Sequence, residues 1–311
     1  MTVGALFAGG YGKRMQSVSK DVPKTLLSLR GNYVILDRQL REFKSSGVEE
    51  VYILSGYRGE LLEERYGPSW EGVKITYLKE EKPMGTLWAL RNLYNHVNAD
   101  LILRNGDTLC DLDLRRFISY SLENTGLMSM VVAKMISPFG IVSIRNGYVT
   151  GFLEKPVLNH YVNIGCYYLR PGIKDYLNRE YEEKDIERTL FQTLLKENRI
   201  RALKFNGYWK GVDSVKDYEE VRKVYEYRKD YDFGHVDLNG NIQECCAFEN
   251  RTIVVSGRGQ LKVSKGKIAI SGRTLVKDDE GEIEGRSEVR ALKESRFSLA
   301  GGLTIENSSW S

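Results

Sequence analysis

The chain has 311 residues, with 46 Lys and Arg against 42 Asp and Glu and a formal net charge of +4. The two signs are mixed along the sequence, so the charge gives no reason to expect nucleic acid as a partner and fits an ordinary soluble surface. No apolar run approaches the ~18 to 20 residues that span a bilayer, and no charged-then-apolar leader opens the chain, so export and a membrane partner are not expected. Cys110, Cys166, Cys245 and Cys246 lack paired C-x-x-C spacing, which suits a reduced, cytoplasmic protein.

From residue 1 to about 230, short apolar runs alternate with amphipathic stretches, the pattern of a sheet covered by helices. Thr2 to Phe7 reads as a buried strand, Ile35 to Lys44 as a helix closed by Ser46-Gly47, and Glu50 to Leu54 as the next strand. Gly59 to Tyr66 and Thr86 to Tyr94 read as helices, and Lys74 to Leu78 and Leu101 to Leu103 as strands. Met128 to Ala133 and Gly140 to Ile144 extend the sheet; Asp185 to Asn198 and Val215 to Tyr227 are the last two helices. After Asp230, glycines punctuate short alternating segments such as Leu261 to Ser264 and Lys267 to Ile270. Expected, therefore, are a domain over 1–232 and a β-rich module over 233–311, either solenoid-like or a small sandwich. Within it, the acidic run Asp278 to Glu284 reads as a solvated turn, and Trp310 as a candidate interface residue.

Chemistry is densest at the N-terminus. Leu6-Phe-Ala-Gly-Gly-Tyr-Gly-Lys-Arg14 places three glycines in four positions directly after the first strand, so backbone can approach a ligand with no Cβ in the way. Ala8, Gly9, Gly10, Gly12 and Lys13 line that turn, and Arg14 and Lys24 bring further positive charge, a combination suited to polyphosphate. Neither G-x-G-x-x-G nor the P-loop ending G-K-[ST] is present, which weighs against a nicotinamide-dependent oxidoreductase.

Asp107, in Asn105-Gly-Asp107, should sit just beyond the carboxyl end of a strand, where it could hold Mg²⁺ or cap a following helix. Glu154 and Lys155 stand side by side before Pro156, as site residues or as a surface charge pair. Asn163 offers an amide for hydroxyl recognition. Asp213 offers a second carboxylate, although in Asp213-Ser-Val-Lys-Asp217 either Asp213 or Ser214 could serve as a helix cap.

In order and spacing, Ala8-Gly-Gly-Tyr-Gly-Lys-Arg14, Pro23-Lys24, Pro83-Met-Gly85-Thr86, Asn105-Gly-Asp107, Phe139-Gly140, Glu154-Lys-Pro156, Asn163-x-Gly165 and Trp209 onward resemble the sugar-1-phosphate nucleotidyltransferases, over residues 3 to 222. The resemblance implies a mixed, mostly parallel α/β sheet of the dinucleotide-binding type. It also implies transfer of a nucleotidyl group from a nucleoside triphosphate (NTP) to a sugar 1-phosphate, releasing pyrophosphate, with a possible homo-oligomer formed through the C-terminal module. By the same resemblance Arg14 holds the β- and γ-phosphates, Lys24 the α-phosphate and Lys155 the sugar phosphate; Asp107 and Asp213 carry Mg²⁺. Gly85 and Thr86 contact the nucleotide, and Gly140, Glu154 and Asn163 the sugar.

One departure stands out. Most relatives read W-x-D-x-G where this chain has Trp209-Lys-Gly-Val-Asp213, with the carboxylate two residues later, as in some cytidylyltransferases of the family. The shift motivates an alternative, a non-catalytic sensor or regulatory relative that binds nucleotide-sugar and a protein partner. For the base, thymidylyl- and uridylyl-transferring relatives use a Gln five residues before the glycine of P-x-G, and here that position is Glu80. A carboxylate only accepts hydrogen bonds, which favours GTP, then CTP, over UTP or dTTP.

Overall fold

The computed structural model describes residues 2–10, 15–19 and 22–227, together with the backbone of strands between 235 and 306. The elements are β1 (Thr2–Ala8), a short α1 (Gln16–Ser19), a 3-10 turn over Lys24–Leu26, β2 (Ser28–Arg30), β3 (Tyr33–Val34) and α2 (Ile35–Ser45). Next come β4 (Glu50–Ser55), α3 (Glu60–Tyr66), β5 (Ser69–Trp70), β6 (Val73–Lys79), α4 (Thr86–His96), β7 (Asp100–Asn105) and β8 (Thr108–Cys110). They are followed by α5 (Leu114–Glu123), β9 (Met128–Ile136), β10 (Ile141–Arg145), β11 (Tyr148–Leu153) and β12 (Val157–Leu169). After α6 (Lys174–Leu177) and α7 (Leu190–Lys196), β13 (Ile200–Phe205), β14 (Trp209–Gly211) and α8 (Val215–Tyr227) complete this part.

Eight strands form one sheet in the order β13-β9-β12-β7-β1-β4-β6-β5. Only β12 and β5 run against the others, so the sheet is mixed and mostly parallel, as expected. Each central strand is apolar on both sides because both faces are covered. Val3 and Ala5 of β1 join Leu87, Leu90 and Leu93 of α4 in one core, while Leu6 and Ala8 join Leu36, Leu40 and Phe43 of α2 in the other. Gly4 is required between them, since a Cβ there would lie 2.9 Å from the Phe43 ring. The helix expected to end at Ser46-Gly47 does so, with Gly47 at φ +82°.

Three expectations need correction. Gly140 to Ile144 does not extend the main sheet: Ile141–Arg145 pairs with Tyr148–Leu153 in a two-stranded ribbon of its own. The helix expected over Asp185 to Asn198 begins only at Leu190. The residues before it form a strap across the start of α4: Ile186 N–H donates to Thr86 Oγ1 at 2.9 Å, and Leu87 N–H donates to Lys184 O at 2.9 Å, so backbone groups there serve the strap. The acidic run after Asp278 is not simply a turn, because Gly281–Glu284 is a strand antiparallel to Leu275–Asp278. Elsewhere in the C-terminal part, Arg251–Ser264 pairs antiparallel with Lys267–Asp278 and parallel with Ser295–Ala300 and Leu303–Glu306. Trp310 lies outside the described residues. Among the described residues no helix is long and apolar enough to cross a membrane.

Candidate active site

The parallel strands β1, β4 and β7 end on one edge of the sheet, the edge where open α/β sheets bind ligands. Ala8 ends β1, and Gly9 follows it directly against a side chain from the loop after β6. A Cβ on Gly9 would lie 2.8 Å from Glu80 Oε1, and one on Gly56 would lie 3.0 Å from Gly9 O. Glycine at both positions therefore lets two strand ends and the Glu80 carboxylate close on one another. The other oxygen, Glu80 Oε2, accepts from Met84 N–H at 3.0 Å. Gly10 is exposed with open space around it. Gly12, Lys13 and Arg14 lie outside the described residues.

Beside this floor is a corner of three charges. Lys24 Nζ donates to Asp107 Oδ2 at 3.2 Å and to Asp213 Oδ1 at 3.1 Å, joining residues 83 and 189 positions apart. Three backbone contacts bring them together. Gly106 N–H donates to Phe7 O at 2.9 Å, tying the β7–β8 turn to β1; a Cβ at Gly106 would lie 2.5 Å from that oxygen and 2.8 Å from Thr25 Cγ2, so only glycine allows the approach. Antiparallel pairing of β14 with β8 sets Gly211 opposite Thr108. Finally, Val212 N–H donates to Asp107 O at 2.9 Å, which delivers Asp213 beside Asp107.

The capping alternatives resolve here. No helix follows Asp107, since β8 begins at Thr108. It is Ser214 that caps α8: its Oγ accepts from Asp217 N–H at 3.2 Å while Asp217 Oδ2 accepts from Ser214 N–H at 3.0 Å. Asp213 is thus left to face Lys24, and a Cβ built on Gly211 would lie 3.5 Å from Asp213 Oδ2.

The electrostatics suit a cation. Burial, and then the neighbouring Asp213 carboxylate, push Asp107 above its usual value of 3.8 against the opposing pull of Lys24. For Lys24, burial is outweighed by the two carboxylates, so its ammonium is held above 10.5 and stays charged. Asp107 is the more enclosed of the two carboxylates, with 31% of its side chain exposed against 70% for Asp213. Among the described residues no cluster of three or more Asp, Glu, His or Cys could hold a metal by itself. Two converging carboxylates are instead the donor set of a Mg²⁺ ion completed by water and substrate phosphates, and the pair fits that ion.

The residues expected on the sugar side form a different arrangement. β10 and β11 make a two-stranded ribbon turned by Asn146-Gly147, both at positive φ. At its base a Cβ on Gly140 would lie 2.5 Å from the Phe152 ring and 3.1 Å from Glu154 Oε2. Lys155 follows at φ +44°, the break that ends the strand alternation before Pro156. Glu154 and Lys155 are exposed, and neither is brought into contact with the Lys24 corner among the described residues. Asn163 sits at an irregularity of β12: its Oδ1 accepts from Gly165 N–H at 2.9 Å and its Nδ2 donates to Tyr167 Oη at 2.6 Å, leaving one donor and one lone pair for a ligand. Gly165, at φ +71°, leaves the space that the Asn105 side chain fills. Gly85 at φ +90° lies against Lys184 O, and the Thr86 hydroxyl is occupied by the strap.

Sequence reasoning missed what lies beneath the corner. Arg38, Gln39 and Glu42 of α2 are buried, together with Arg104 and Asp111. Arg38 pairs with Glu42 at 2.9 Å and Asp111 at 3.1 Å, and Arg104 with Glu42. In a one-dimensional reading Arg38, Gln39 and Glu42 look like the wet face of α2, and no local signal marks them as buried.

The doubly wound sheet, with glycine-lined strand ends and two carboxylates converging on a lysine, defines an α/β fold of the nucleotide-handling class. Residues 3–228 match the family model for nucleotidyl transferase, and the chain belongs to that family. A mannose-1-phosphate guanyltransferase from Pichia angusta is 26% identical over 229 residues, 69% of this chain and 62% of that protein. The chain thus spans about 62% of the length of the curated relatives it matches. Among solved structures, UDP-glucose pyrophosphorylase complexed with UDP-glucose superposes with a TM-score of 0.59 at 22% identity, covering 73% of this chain and 99% of that one. HddC from Yersinia pseudotuberculosis complexed with GMP-PN gives a TM-score of 0.56 at 24% identity, covering 72% of this chain and all of that one. At these identities the structural likeness establishes the fold.

Proposed function

We propose that the chain transfers a nucleotidyl group from an NTP to a sugar 1-phosphate. The convergence of Asp107 and Asp213 on Lys24 carries this reading. In the reaction a sugar-phosphate oxygen attacks the α-phosphorus, the bond from that phosphorus to the bridging oxygen of the β-phosphate breaks, and pyrophosphate leaves with the electron pair. No proton has to move at pH 7, so the demand on the protein is placement and charge neutralisation. Asp107 and Asp213 would hold Mg²⁺, which when bound screens the phosphate oxygens and orients the leaving group. Lys24 neutralises the carboxylates in the free enzyme and turns to the α-phosphate when the triphosphate arrives. Arg14 contacts the β- and γ-phosphates at the glycine-rich turn, and Lys155 the sugar phosphate, with Glu154, Asn163 and the backbone at Gly140 on sugar hydroxyls.

GTP is the favoured nucleotide, CTP the second. Support comes from Glu80, whose carboxylate lies over Gly9 where a base entering past the glycine turn would meet an acceptor, and from relatives named as guanyltransferases. Guanine offers two donors side by side to such a group. Asp213 lying beside Asp107 supports the catalytic reading over the non-catalytic one, because two carboxylates reach the corner although position 211 is glycine. Residues 1–232 form the catalytic unit, and 233–311 a second, β-rich module that assembles copies of the chain in the cytoplasm.

Pyrophosphate release with Mg²⁺, the four common triphosphates and a panel of hexose and heptose 1-phosphates tests the reading. Turnover with GTP and one sugar phosphate, lost in Asp107→Ala, is the expected result; nucleotide binding without turnover for any pair would overturn it.

A further inference from the structure

We propose that Gln39 is a positioning residue for Asp107, an inference that rests on the role given above to the Asp107 and Asp213 pair. Gln39 lies on α2 with none of its surface exposed. Its amide Nε2 donates to Asn105 O at 3.1 Å and to Thr108 O at 2.8 Å, the carbonyls on either side of Gly106-Asp107. One side-chain amide therefore closes the four-residue turn from below. The other tethers of that turn, Gly106 N–H to Phe7 O and Val212 N–H to Asp107 O, are backbone to backbone.

The orientation of the amide is fixed by chemistry. Both partners are carbonyls and can only accept, so both require the NH₂ end of Gln39, and its Oε1 has no partner among the described residues. Glutamate, methionine or leucine at 39 would supply no donor at neutral pH, and the two carbonyls would be left in a dry site, where unmade hydrogen bonds are costly. The amide is itself held firmly: on the same helix Arg38 is locked to Glu42 and Asp111, and Asp111 N–H donates to Tyr208 O at 2.9 Å, one residue before β14. The elements carrying Asp107 and Asp213 are thus braced from one helix, and Gln39 is the member of that brace that touches the Asp107 turn.

The test compares Gln39→Met and Gln39→Glu with Leu40→Ala, a core truncation on the same helix that touches no part of the turn. Wild type, the three variants and Asp107→Ala are measured for kcat, the KM of each substrate, the Mg²⁺ concentration at half-maximal rate, and Mn²⁺ binding by calorimetry. Both Gln39 variants are expected to lose about 10- to 100-fold in kcat, with a several-fold weaker Mn²⁺ affinity and KM values little changed. Leu40→Ala is expected to lower the melting temperature while leaving kcat and Mn²⁺ affinity near wild type. Wild-type kcat and Mn²⁺ affinity in either folded Gln39 variant would overturn the proposal, as would failure of both to fold, which would assign Gln39 to the fold alone. Unchanged Mn²⁺ binding in Asp107→Ala would instead overturn the metal role of Asp107, whatever the Gln39 variants do.

Discussion

The two halves of the candidate site are built on opposite plans. The Lys24, Asp107 and Asp213 corner rests on parallel strands, backbone tethers from three segments and a buried ion network, and its charges are paired before any ligand arrives. The side proposed to take the sugar hangs on the β10–β11 ribbon, which among the described residues has no sheet neighbour beyond its own hairpin and leaves Tyr148 76% and Phe152 63% exposed. A two-stranded ribbon is marginal on its own, so Glu154 and Lys155 start from a loosely determined position. On the proposed reading the chemistry falls to the pre-formed half, where misplacement is expensive, and sugar recognition to the adaptable half.

Breaking the corner should therefore cost far more than loosening the ribbon. Lys24→Met leaves Asp107 and Asp213 without their shared counter-charge and would remove the proposed contact to the α-phosphate, so kcat should fall about 10³-fold in a pyrophosphate-release assay. Asp213→Ala should cost about 10²-fold, less because its side chain is mostly in solvent. Adding Gly211→Asp to that variant should recover most of the loss, because a side chain from position 211 starts 3.5 Å from the carboxylate oxygen it replaces. Lack of recovery would mean that position 211 cannot carry the carboxylate in this chain.

Glu80→Gln should shift the preference between GTP and UTP by about 10- to 100-fold, the worth of one or two hydrogen bonds to a charged acceptor, read as a ratio of kcat/KM. Lys155→Met and Glu154→Gln should raise the KM for sugar 1-phosphate by about tenfold and leave the KM for nucleotide near wild type, the signature of a contact confined to the second substrate.

The pH dependence is the mildest of these effects. Burial and Asp213 hold the Asp107 proton to a higher pH than an ordinary aspartate, so that proton competes with Mg²⁺ as the pH falls. The Mg²⁺ concentration for half-maximal rate should rise on acidification through a range above 3.8, whereas Lys24, held above its usual value, stays charged throughout and contributes no limb below pH 9. A flat Mg²⁺ requirement across the acid range would separate Asp107 from the cation.

Apolar runs made β1, β4 and β7 legible, because a strand buried on both faces has to be mostly apolar along its length, and β6 was legible from its strand-like Val-Lys-Ile-Thr-Tyr-Leu run. Gly9 was readable as part of a turn where backbone comes close to a neighbour, and Gly47 as the left-handed end of a helix, whereas nothing local marked Gly106 as the point where the β7–β8 turn passes Phe7 O. What lay beyond the sequence were the pairings between distant segments. Nothing in Trp209-Lys-Gly-Val-Asp213 says that β14 lies antiparallel to β8, and that pairing is what sets Asp213 against Lys24. Nor could Gln39 be recognised, since a polar residue on an amphipathic helix reads as solvent-facing until the turn it supports is known. The residues from Asp185 to Thr189 carried a helical pattern, but a hydrogen bond from Ile186 to Thr86, 100 residues away, outweighs local propensity.

The most direct measurement is a side-by-side comparison of turnover and GTP binding in wild type and Asp107→Asn, which keeps the shape of the corner and removes one charge. GTP affinity without Mg²⁺ within a few fold of wild type, together with a kcat lowered about 10³-fold, is the expected result. Turnover within tenfold of wild type would contradict the assignment of nucleotidyl transfer to the Asp107, Lys24 and Asp213 corner.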